Sequence, residues 1–221
     1  KKGGGEMYLA DGVGGFNEQG IDPGMYARVL TYEAAKAHTA LAKNPLASPN
    51  PKKLIQVAQE NTKLPGASTI VIIELLGTKL SAASIGDSGF RVVRDGKVLF
   101  ASPPQEHYFN CPYQLGYEPL NKDVDLAIDA QEFEVPVQPG DLVIAGSDGL
   151  FDNIFDENIE LVVSDALAKV AGAGALSAAR AVSEALVVEA RKNAEDPMFE
   201  SPFAIEAAKA NAKKRRVGNF Y

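Results

Sequence analysis

The stretch Ser68–Ala101, STIVIIELLGTKLSAASIGDSGFRVVRDGKVLFA, decides the fold class of this chain. It is rich in β-branched and alternating apolar residues, and glycine-containing pairs interrupt it at short intervals. This pattern predicts strands at Ser68–Leu76, Lys79–Ile85, Gly89–Arg94 and Lys97–Ala101. Because Asp-Gly favours tight two-residue loops, Asp95-Gly96 is predicted to be a hairpin turn and the stretch a meander of antiparallel strands.

Helical patterns lie on both sides of this strand block. They predict helices at Met25–Lys43, Lys52–Lys63, Glu157–Val170, Ala175–Lys192 and Pro202–Lys213. Asp22 before Pro23 predicts an N-cap, and Met25 is expected on the apolar face of the first helix. Two more strands are predicted at Leu126–Val135 and Asp141–Ala145, and Lys1–Gly5 is expected to be flexible. Helices segregated from a strand block indicate the α+β class, with an antiparallel sheet or sandwich flanked by helices.

The bulk composition excludes several classes of function. The 221 residues are 46% hydrophobic, enough for one core, so residues 1–221 are predicted to form a single domain, with atypical ends at 1–6 and 213–221. A net charge of -7 argues against general nucleic-acid binding. No apolar run approaches the roughly 18 residues that would span a bilayer. The lone cysteine, Cys111, fits a reducing compartment, and because Lys1 is not an initiator methionine we expect a processed or truncated start.

Acidic residues beside glycine follow three apolar segments of the chain. They are found in Asp11-Gly12-Val13-Gly14-Gly15, Gly86-Asp87-Ser88 and Ser147-Asp148-Gly149-Leu150-Phe151-Asp152-Asn153. Carboxylates at strand ends, with glycine allowing close backbone approach, suit a hard divalent cation. An Asp-Gly pair could equally be a plain turn, since these residues dominate turns. The residues alone therefore indicate metal-assisted hydrolysis only as one option.

The order and spacing of four strings resemble the type 2C family of metal-dependent protein phosphatases. They are Ala10-Asp11-Gly12-Val13-Gly14-Gly15-Phe16, Gly66-Ala67-Ser68-Thr69, Ile85-Gly86-Asp87-Ser88-Gly89 and Gly146-Ser147-Asp148-Gly149-Leu150-Phe151-Asp152-Asn153. Two further strings, Gln105–Leu115 and Glu200–Ala207, resemble the organellar subgroup of mitochondrial matrix phosphatases and the chloroplast photosystem II core phosphatase. The first of these two is closer to the chloroplast branch. The resemblance implies a central antiparallel β-sandwich with helices outside.

The same resemblance implies a metal site and a reaction. Asp11 would bridge two Mn²⁺ or Mg²⁺ ions, the Gly12 carbonyl would bind one, and Asp148 the other. Asp87 and Asp152 match positions that hold a third, weaker ion in some members. The implied enzyme is a protein-serine/threonine phosphatase in which metal-activated water hydrolyses phosphoserine or phosphothreonine. Its partners would be organellar phosphoproteins, in the chloroplast ahead of the mitochondrial matrix.

This chain departs from the family pattern at two places. Family members carry a Glu-Asp pair here, and the Asp of that pair and most of a strand hairpin are expected to be missing between Glu6 and Met7, with Glu6 as the surviving ligand. If residues were only omitted there, the Glu6–Met7 Cα separation would exceed the usual ~3.8 Å. Near the other end, Lys213–Tyr221 replaces a segment with a further acidic ligand. The alternative function is therefore an inactive phosphatase-fold subunit in a larger organellar complex, with peripheral contact to a membrane complex.

Several other side chains receive structural interpretations from the sequence. His38 is expected to be exposed on its helix, and His107 to pack within its loop. The residues Tyr108, Phe109 and Tyr113 are expected to anchor that loop as core aromatics. Cations at Lys213–Arg216 are predicted to complement the dipole at a helix C-terminus.

Overall fold

A computed structural model describes residues 4–43, 50–122 and 124–218, with the backbone alone for 213–218. The chain divides into two compact units. The first unit comprises Lys1–Phe90 and Ser102–Pro139, and the second comprises Arg91–Ala101 and Gly140–Tyr221. Each unit has its own hydrophobic core. Because the second unit interrupts the first, the units are discontinuous in sequence.

The described residues form eleven β-strands and six α-helices. The strands are β1 Gly4–Leu9, β2 Ala67–Ser68, β3 Ile70–Leu76, β4 Lys79–Ile85, β5 Gly89–Arg94, β6 Lys97–Ala101, β7 Glu106–Tyr108, β8 Cys111–Pro112, β9 Leu115–Gly116, β10 Gln131–Pro136 and β11 Leu142–Gly146. The α-helices are α1 Pro23–Leu41, α2 Pro51–Asn61, α3 Asp148–Phe151, α4 Asp156–Lys169, α5 Ala175–Glu195 and α6 Pro202–Gly218. 3₁₀-helical segments lie at Gly14–Gln19 and Ala127–Asp129.

The first unit is built on a four-stranded sheet in the order β1-β3-β4-β10, with each neighbouring pair antiparallel. Strand β3 is an inner strand of this sheet, and its first five residues are buried. Ile70, Ile72, Ala83 and Ile85 pack with helices α1 and α2 in one apolar cluster. The sheet therefore gains its stability by burying this face against the two helices.

The second unit contains the sheet β11-β5-β6 and helices α3 to α6. Its core joins Val93 of β5 to residues of α4 and α5, among them Ile159, Val163, Val182 and Leu186. Beside this core, the guanidinium of Arg94 donates two hydrogen bonds of 2.8 Å to the Asp141 carboxylate, which is 3% exposed. This planar pair holds the residue before β11 against the end of β5.

The α+β class and its antiparallel strand pairs are confirmed. The strands β4, β5 and β6 begin and end where the sequence predicted them, and Asp95 and Gly96 have φ values of 50° and 73°, which suit a tight hairpin turn. The prediction of one continuous meander over Ser68–Ala101 was wrong. Gly86-Asp87-Ser88 does not turn β4 back on itself; β4 belongs to one sheet and β5 to the other.

Two segment predictions near the ends of elements were also wrong. The flexible start was too long, because Gly4 and Gly5 pair with Leu76 and Leu75 in β1. The strand predicted from Leu126 begins only at Gln131, after a 3₁₀ turn closed by the Asp129 carboxylate, which accepts the Leu126 N–H at 3.1 Å. That local side-chain bond competes with strand pairing.

Strand β1 runs through the Glu6–Met7 junction without interruption. Glu6 pairs with Glu74 and Met7 with Ile73, in the same register as their neighbours on both sides. The separation expected for omitted residues is therefore not found at this junction. β1 pairs with β3 along its full length, from Gly4 with Leu76 to Leu9 with Val71.

Helix α1 begins as the sequence predicted. The Asp22 side chain accepts the Gly24 N–H at 2.9 Å, with Pro23 at the first helical position. The apolar face was partly misjudged, because Met25 is 50% exposed whereas Tyr26 is fully buried.

Among the described helices, none combines the length and apolar character needed to cross a membrane. The side chains of Lys213–Arg216 and the residues of Lys1–Gly3 lie outside the described residues. The helix itself continues beyond Lys213 to Gly218.

Candidate functional site

The segment after β1 places Asp11 in a fixed position in the first unit. Gly12 forms an isolated antiparallel bridge with Ser68, so the chain stays extended beyond the strand end. The Asp11 carbonyl oxygen accepts the Thr69 N–H at 3.0 Å and the Ser68 hydroxyl at 2.7 Å. These bonds set the direction of the backbone that carries the Asp11 carboxylate.

Gly12 is a position where only glycine fits without rearrangement. A β-carbon there would overlap the carbonyl oxygen and carbon of Pro23. The start of helix α1 therefore lies directly against the backbone that follows Asp11.

The second acidic cluster of the first unit, Gly86-Asp87-Ser88, is tied to the first by side-chain hydroxyls. The Thr69 and Ser88 hydroxyls form a buried hydrogen bond of 2.7 Å. Thr69 also contacts Asp11, because its N–H binds the Asp11 carbonyl and its hydroxyl accepts the Asp11 N–H at 3.4 Å. Thr69 thus links the backbone of Asp11 to Ser88, the residue next to Asp87. The two predicted ligands Asp11 and Asp87 therefore belong to neighbouring segments of the first unit.

Gly86 shapes the backbone on the other side of Asp87. It has a φ of 94°, and an added β-carbon would lie 2.5 Å from the Tyr113 carbonyl oxygen and 2.6 Å from the Thr69 methyl group. The Gly86 carbonyl accepts the Gln105 N–H at 2.9 Å. The loop that continues into β7 is thereby anchored one residue away from Asp87.

In the second unit, Asp148 and Asp152 are four residues apart on one helical turn. Asp148 opens α3 directly after β11, and its carbonyl accepts the Asp152 N–H at 2.8 Å. Residues at this spacing lie on the same helix face. The unit therefore presents the two carboxylate-bearing residues side by side on one turn.

Two other helices of this unit support the Asp148–Asp152 turn from behind. The Asn193 amide, in a side chain of α5 that is nearly buried, donates to the Asn153 carbonyl at 2.8 Å. The Phe203 N–H of α6 donates to the Asp152 carbonyl at 3.2 Å. The sequence analysis assigned no role to Asn193 or to Thr69. Thr69 could have been found from its motif, but nothing near Asn193 in the sequence indicates its contact.

Glu6 is placed apart from Asp11. The two residues are five positions apart on extended chain, which corresponds to about 16 Å at the usual rise of a strand. The Glu6 carboxylate lies 3.4 Å from His38 Nε2, and the Glu74 carboxylate lies 3.2 Å from the same atom. The geometry of this unit therefore does not bring Glu6 together with the other predicted ligands.

The prediction of an exposed His38 was wrong. Its side chain is 12% exposed, and it faces Glu74, whose side chain is 5% exposed. Next to them, burial, followed by the charges of Glu6 and Glu74, raises the pKa of Tyr8 to about 12. This cluster joins helix α1 to strands β1 and β3.

The predictions for residues in and beside the hairpin β7–β8 are partly confirmed and partly wrong. His107 does pack, since its ring stacks on Tyr113 at 3.9 Å and its Nε2 lies 2.9 Å from the Asp125 carboxylate. Tyr108 was wrongly expected in the core, because it is 69% exposed. Cys111 is a free thiol, and a hydrogen bond to it raises the pKa of Tyr108.

The donor set fits a hard divalent cation. The predicted ligands are carboxylates and one backbone carbonyl, and such oxygen donors suit Mg²⁺ or Mn²⁺. Within the ranges that the structure describes, no group of three or more His, Cys, Asp and Glu side chains is arranged to hold a metal. Of the predicted carboxylate ligands, Asp11 and Asp87 belong to the first unit and Asp148 and Asp152 to the second.

Comparisons with known proteins place these residues in a family. No family model matches the chain. It is 38% identical over 206 residues to a probable protein phosphatase 2C of Oryza sativa subsp. japonica, covering 92% of this chain and 57% of the relative. It is 34% identical over 216 residues to the PTC7 homolog fig of Drosophila grimshawi, covering 93% and 68%. Against a probable protein phosphatase 2C of Arabidopsis thaliana it is 39% identical, with 91% of this chain and 41% of the relative covered.

The solved structures agree. The X-ray structure of the photosystem II phosphatase PBCP matches with a TM-score of 0.76 and 32% identity, over 93% of this chain and 79% of that one. The catalytic domain of the phosphatase PstP, in complex with two manganese ions, matches with a TM-score of 0.55 at 16% identity, over 84% and 82%, and shows the fold alone. The chain belongs to the protein phosphatase 2C family, and it spans about half the length of the first curated relatives that it matches.

Proposed function

We propose that this chain is a protein-serine/threonine phosphatase that requires Mn²⁺ or Mg²⁺. The observation that carries the proposal is the Thr69–Ser88 hydrogen bond, which ties the residues around Asp11 to those around Asp87 in the first unit. Membership of the protein phosphatase 2C family supplies the reaction class.

The ligand set of the proposal follows the four motifs. Asp11, Asp87, Asp148 and Asp152 supply carboxylates, and the Gly12 carbonyl supplies a neutral oxygen. Two ions, and a third and weaker one, are proposed. Glu6 has no support from its position in β1. When bound, such ions lower the pKa of a water molecule and polarise the phosphoryl group.

The protein's own residues have a positioning role. The Asp11 backbone is held by Ser68 and Thr69, and the Asp152 and Asn153 carbonyls are held by α6 and α5. Preorganised ligands of this kind reduce the reorganisation needed when charge develops on the phosphoryl group. Glycine at 12 and 86 lets the chain approach closely at both acidic motifs.

The proposed substrates are phosphorylated serine and threonine side chains of organellar proteins. Similarity to the photosystem II phosphatase, at 32% identity, supports the chloroplast, and the resemblance of Gln105–Leu115 and Glu200–Ala207 to the organellar subgroup supports an organelle more generally. We place the chloroplast ahead of the mitochondrial matrix on the first of these.

The test compares Asp148→Asn with Asp165→Asn, which lies on the exposed side of α4. Hydrolysis of p-nitrophenyl phosphate and of a phosphoserine peptide is measured with Mn²⁺, with Mg²⁺ and with a chelator. We expect metal-dependent turnover that Asp148→Asn lowers by at least about 100-fold, with the fold retained by circular dichroism. Asp165→Asn should leave turnover within about twofold, since it replaces an exposed charge.

A chain that folds but releases no phosphate with either metal would contradict the proposal and leave the inactive, structural subunit as the alternative. Equal losses in the two variants would show that Asp148 has no special role.

A further inference from the structure

The start of helix α1 places a cation beside the proposed ligand Gly12. The Pro23 carbonyl lies against Gly12, and Gly24 follows it. A β-carbon on Gly24 would lie 2.8 Å from Nη1 of Arg28, so the guanidinium packs on the backbone of this first helical turn. Arg28 is thus connected to Gly12 through two contacts. Arg28 packs on Gly24, and Pro23, the residue before Gly24, packs on Gly12.

Arg28 is accessible and weakly held. Its side chain is 63% exposed, and Nη2 donates to the Asp22 carboxylate at 2.6 Å, in a pair whose other member is 60% exposed. Arg28 and the Gly24 N–H hold the pKa of Asp22 below its usual range, so Asp22 remains a carboxylate. Exposed pairs contribute little to stability, and another carboxylate can therefore replace Asp22 at small cost.

Arg28 differs in kind from the other cationic residues in the sequence of the first unit, which are lysines apart from two histidines. It is the one arginine in the sequence of the first unit, in a chain with a net charge of -7. Helix α1 is 19 residues long and starts at Pro23, so the positive end of its dipole has the same sign as Arg28 at this place. Both features favour an anionic group beside the proposed metal ligands.

We propose that Arg28 is a specificity-determining residue that selects phosphorylated substrates with an acidic side chain close to the phosphorylated residue. This inference rests on the proposed phosphatase function. A guanidinium offers a planar fork that matches a carboxylate, and a nearby acidic residue of the substrate could take the place of Asp22.

The position of Arg28 favours a neighbouring residue of the substrate over the phosphoryl group itself. Arg28 contacts Gly24, whereas it is Pro23 that contacts Gly12. Because Gly24 adjoins Pro23, the Arg28 guanidinium lies beyond Pro23 as seen from Gly12, where a side chain close to the phosphoserine would meet it.

The test uses the whole chain and two phosphoserine peptides that differ only in having Asp or Lys at the two positions on each side of the phosphoserine. Arg28→Glu is compared with Lys36→Glu, since Lys36 is on the same helix, is 61% exposed and is paired with Glu33 at 2.9 Å. Arg28→Gln removes the charge without introducing repulsion from Asp22. p-Nitrophenyl phosphate, which has no flanking residues, reports the chemistry alone.

We expect wild-type kcat/KM to favour the Asp peptide. Arg28→Gln should lower this preference by about threefold to fivefold, through KM, and Arg28→Glu should reverse it. Turnover of p-nitrophenyl phosphate should stay within about twofold in all variants, and Lys36→Glu should keep the wild-type preference.

A wild-type enzyme that is active but indifferent to flanking charge would overturn the inference and leave the phosphatase function standing. The same holds if Lys36→Glu and Arg28→Glu change the preference equally, because the effect would then come from net charge. Absence of metal-dependent turnover on all three substrates would overturn both proposals.

Discussion

At the scale of single residues, the glycines near the strand ends are required for two different physical reasons. Some positions have no room for a β-carbon, and others have a positive φ. Gly12 has no room for a side chain because of Pro23, whereas Gly140 has a φ of 100° and open space around it. Gly86 combines both constraints, with a φ of 94° and two close neighbours. The pair Gly86 and Gly140 therefore separates steric overlap from backbone strain.

Gly86→Ala should destabilise the protein more than Gly140→Ala. Both replacements incur the strain of positive φ, about 1 kcal/mol, but only the first also pushes a methyl group into Tyr113 and Thr69. We expect a loss of at least about 2–3 kcal/mol against about 1 kcal/mol, measured by urea unfolding. Similar losses in both variants would show that the Gly86 loop relaxes freely.

His38 should matter because of the carboxylate that it covers. His38→Ala leaves Glu74, a nearly buried side chain, without the partner at 3.2 Å. We expect a loss of about 1–3 kcal/mol in unfolding free energy at neutral pH. Glu6→Ala removes the more exposed carboxylate, 38% exposed, and should cost less than about 1 kcal/mol.

A double-mutant cycle of His38→Ala with Glu74→Ala measures the coupling directly. Additive losses would contradict an interaction between these two side chains.

At the scale of elements, the four-residue helix α3 is too short to be stable by itself. Its turn depends on bonds from longer helices, through Asn193 of α5 and Phe203 of α6. Isolated helices of this length are not stable in water, so the carboxylates of Asp148 and Asp152 are positioned by their neighbours.

Asn193→Ala should therefore loosen the Asp148–Asp152 turn. The Asn153 carbonyl loses its donor, and we expect the Mn²⁺ concentration for half-maximal activity to rise by about 3–10-fold. Arg191→Ala, on the exposed side of the same helix, removes only a surface pair with Glu195 and serves as the control. An unchanged metal requirement in Asn193→Ala would show that Asn193 serves stability alone.

At the scale of the whole molecule, the chain leaves the first unit at Arg91, returns at Ser102 and leaves it again at Gly140. The second unit consequently depends on a hairpin taken from the middle of the sequence. Arg94 of that hairpin pairs with the buried carboxylate of Asp141, and Val93 enters the core with α4 and α5.

Residues 140–221 alone should not unfold cooperatively. Without the hairpin, Asp141 loses its partner, at about 1–3 kcal/mol, and the burial of Val93 against α4 and α5 is lost, at about 1.5–3 kcal/mol. These losses are comparable with the ~5–15 kcal/mol that stabilises a domain. Thermal unfolding followed by circular dichroism should show a broad, non-cooperative change.

Joining residues 91–101 to this fragment through a Gly-Ser linker should restore a cooperative transition, and Arg94→Ala in the joined chain should weaken it. A fragment of 140–221 that melts cooperatively by itself would contradict this dependence on the hairpin.

The sequence by itself determined the local features of this protein. Alternating and β-branched residues predicted β4, β5 and β6 at their observed bounds, Asp22-Pro23 predicted the start of α1, and Asp95-Gly96 predicted a hairpin turn. These features depend on backbone preference and on neighbours in sequence, so a single chain is enough to read them. The four acidic and glycine motifs likewise predicted the phosphatase 2C family.

The tertiary structure alone decided which strands share a sheet and which side chains meet. A continuous meander over Ser68–Ala101 was a reasonable prediction, but β4 pairs with β3 and β10 while β5 pairs with β6 and β11. Thr69 with Ser88, His38 with Glu74 and Asn153 with Asn193 are 19, 36 and 40 residues apart. Such contacts depend on burial after the chain has folded, and no local pattern of residues encodes them.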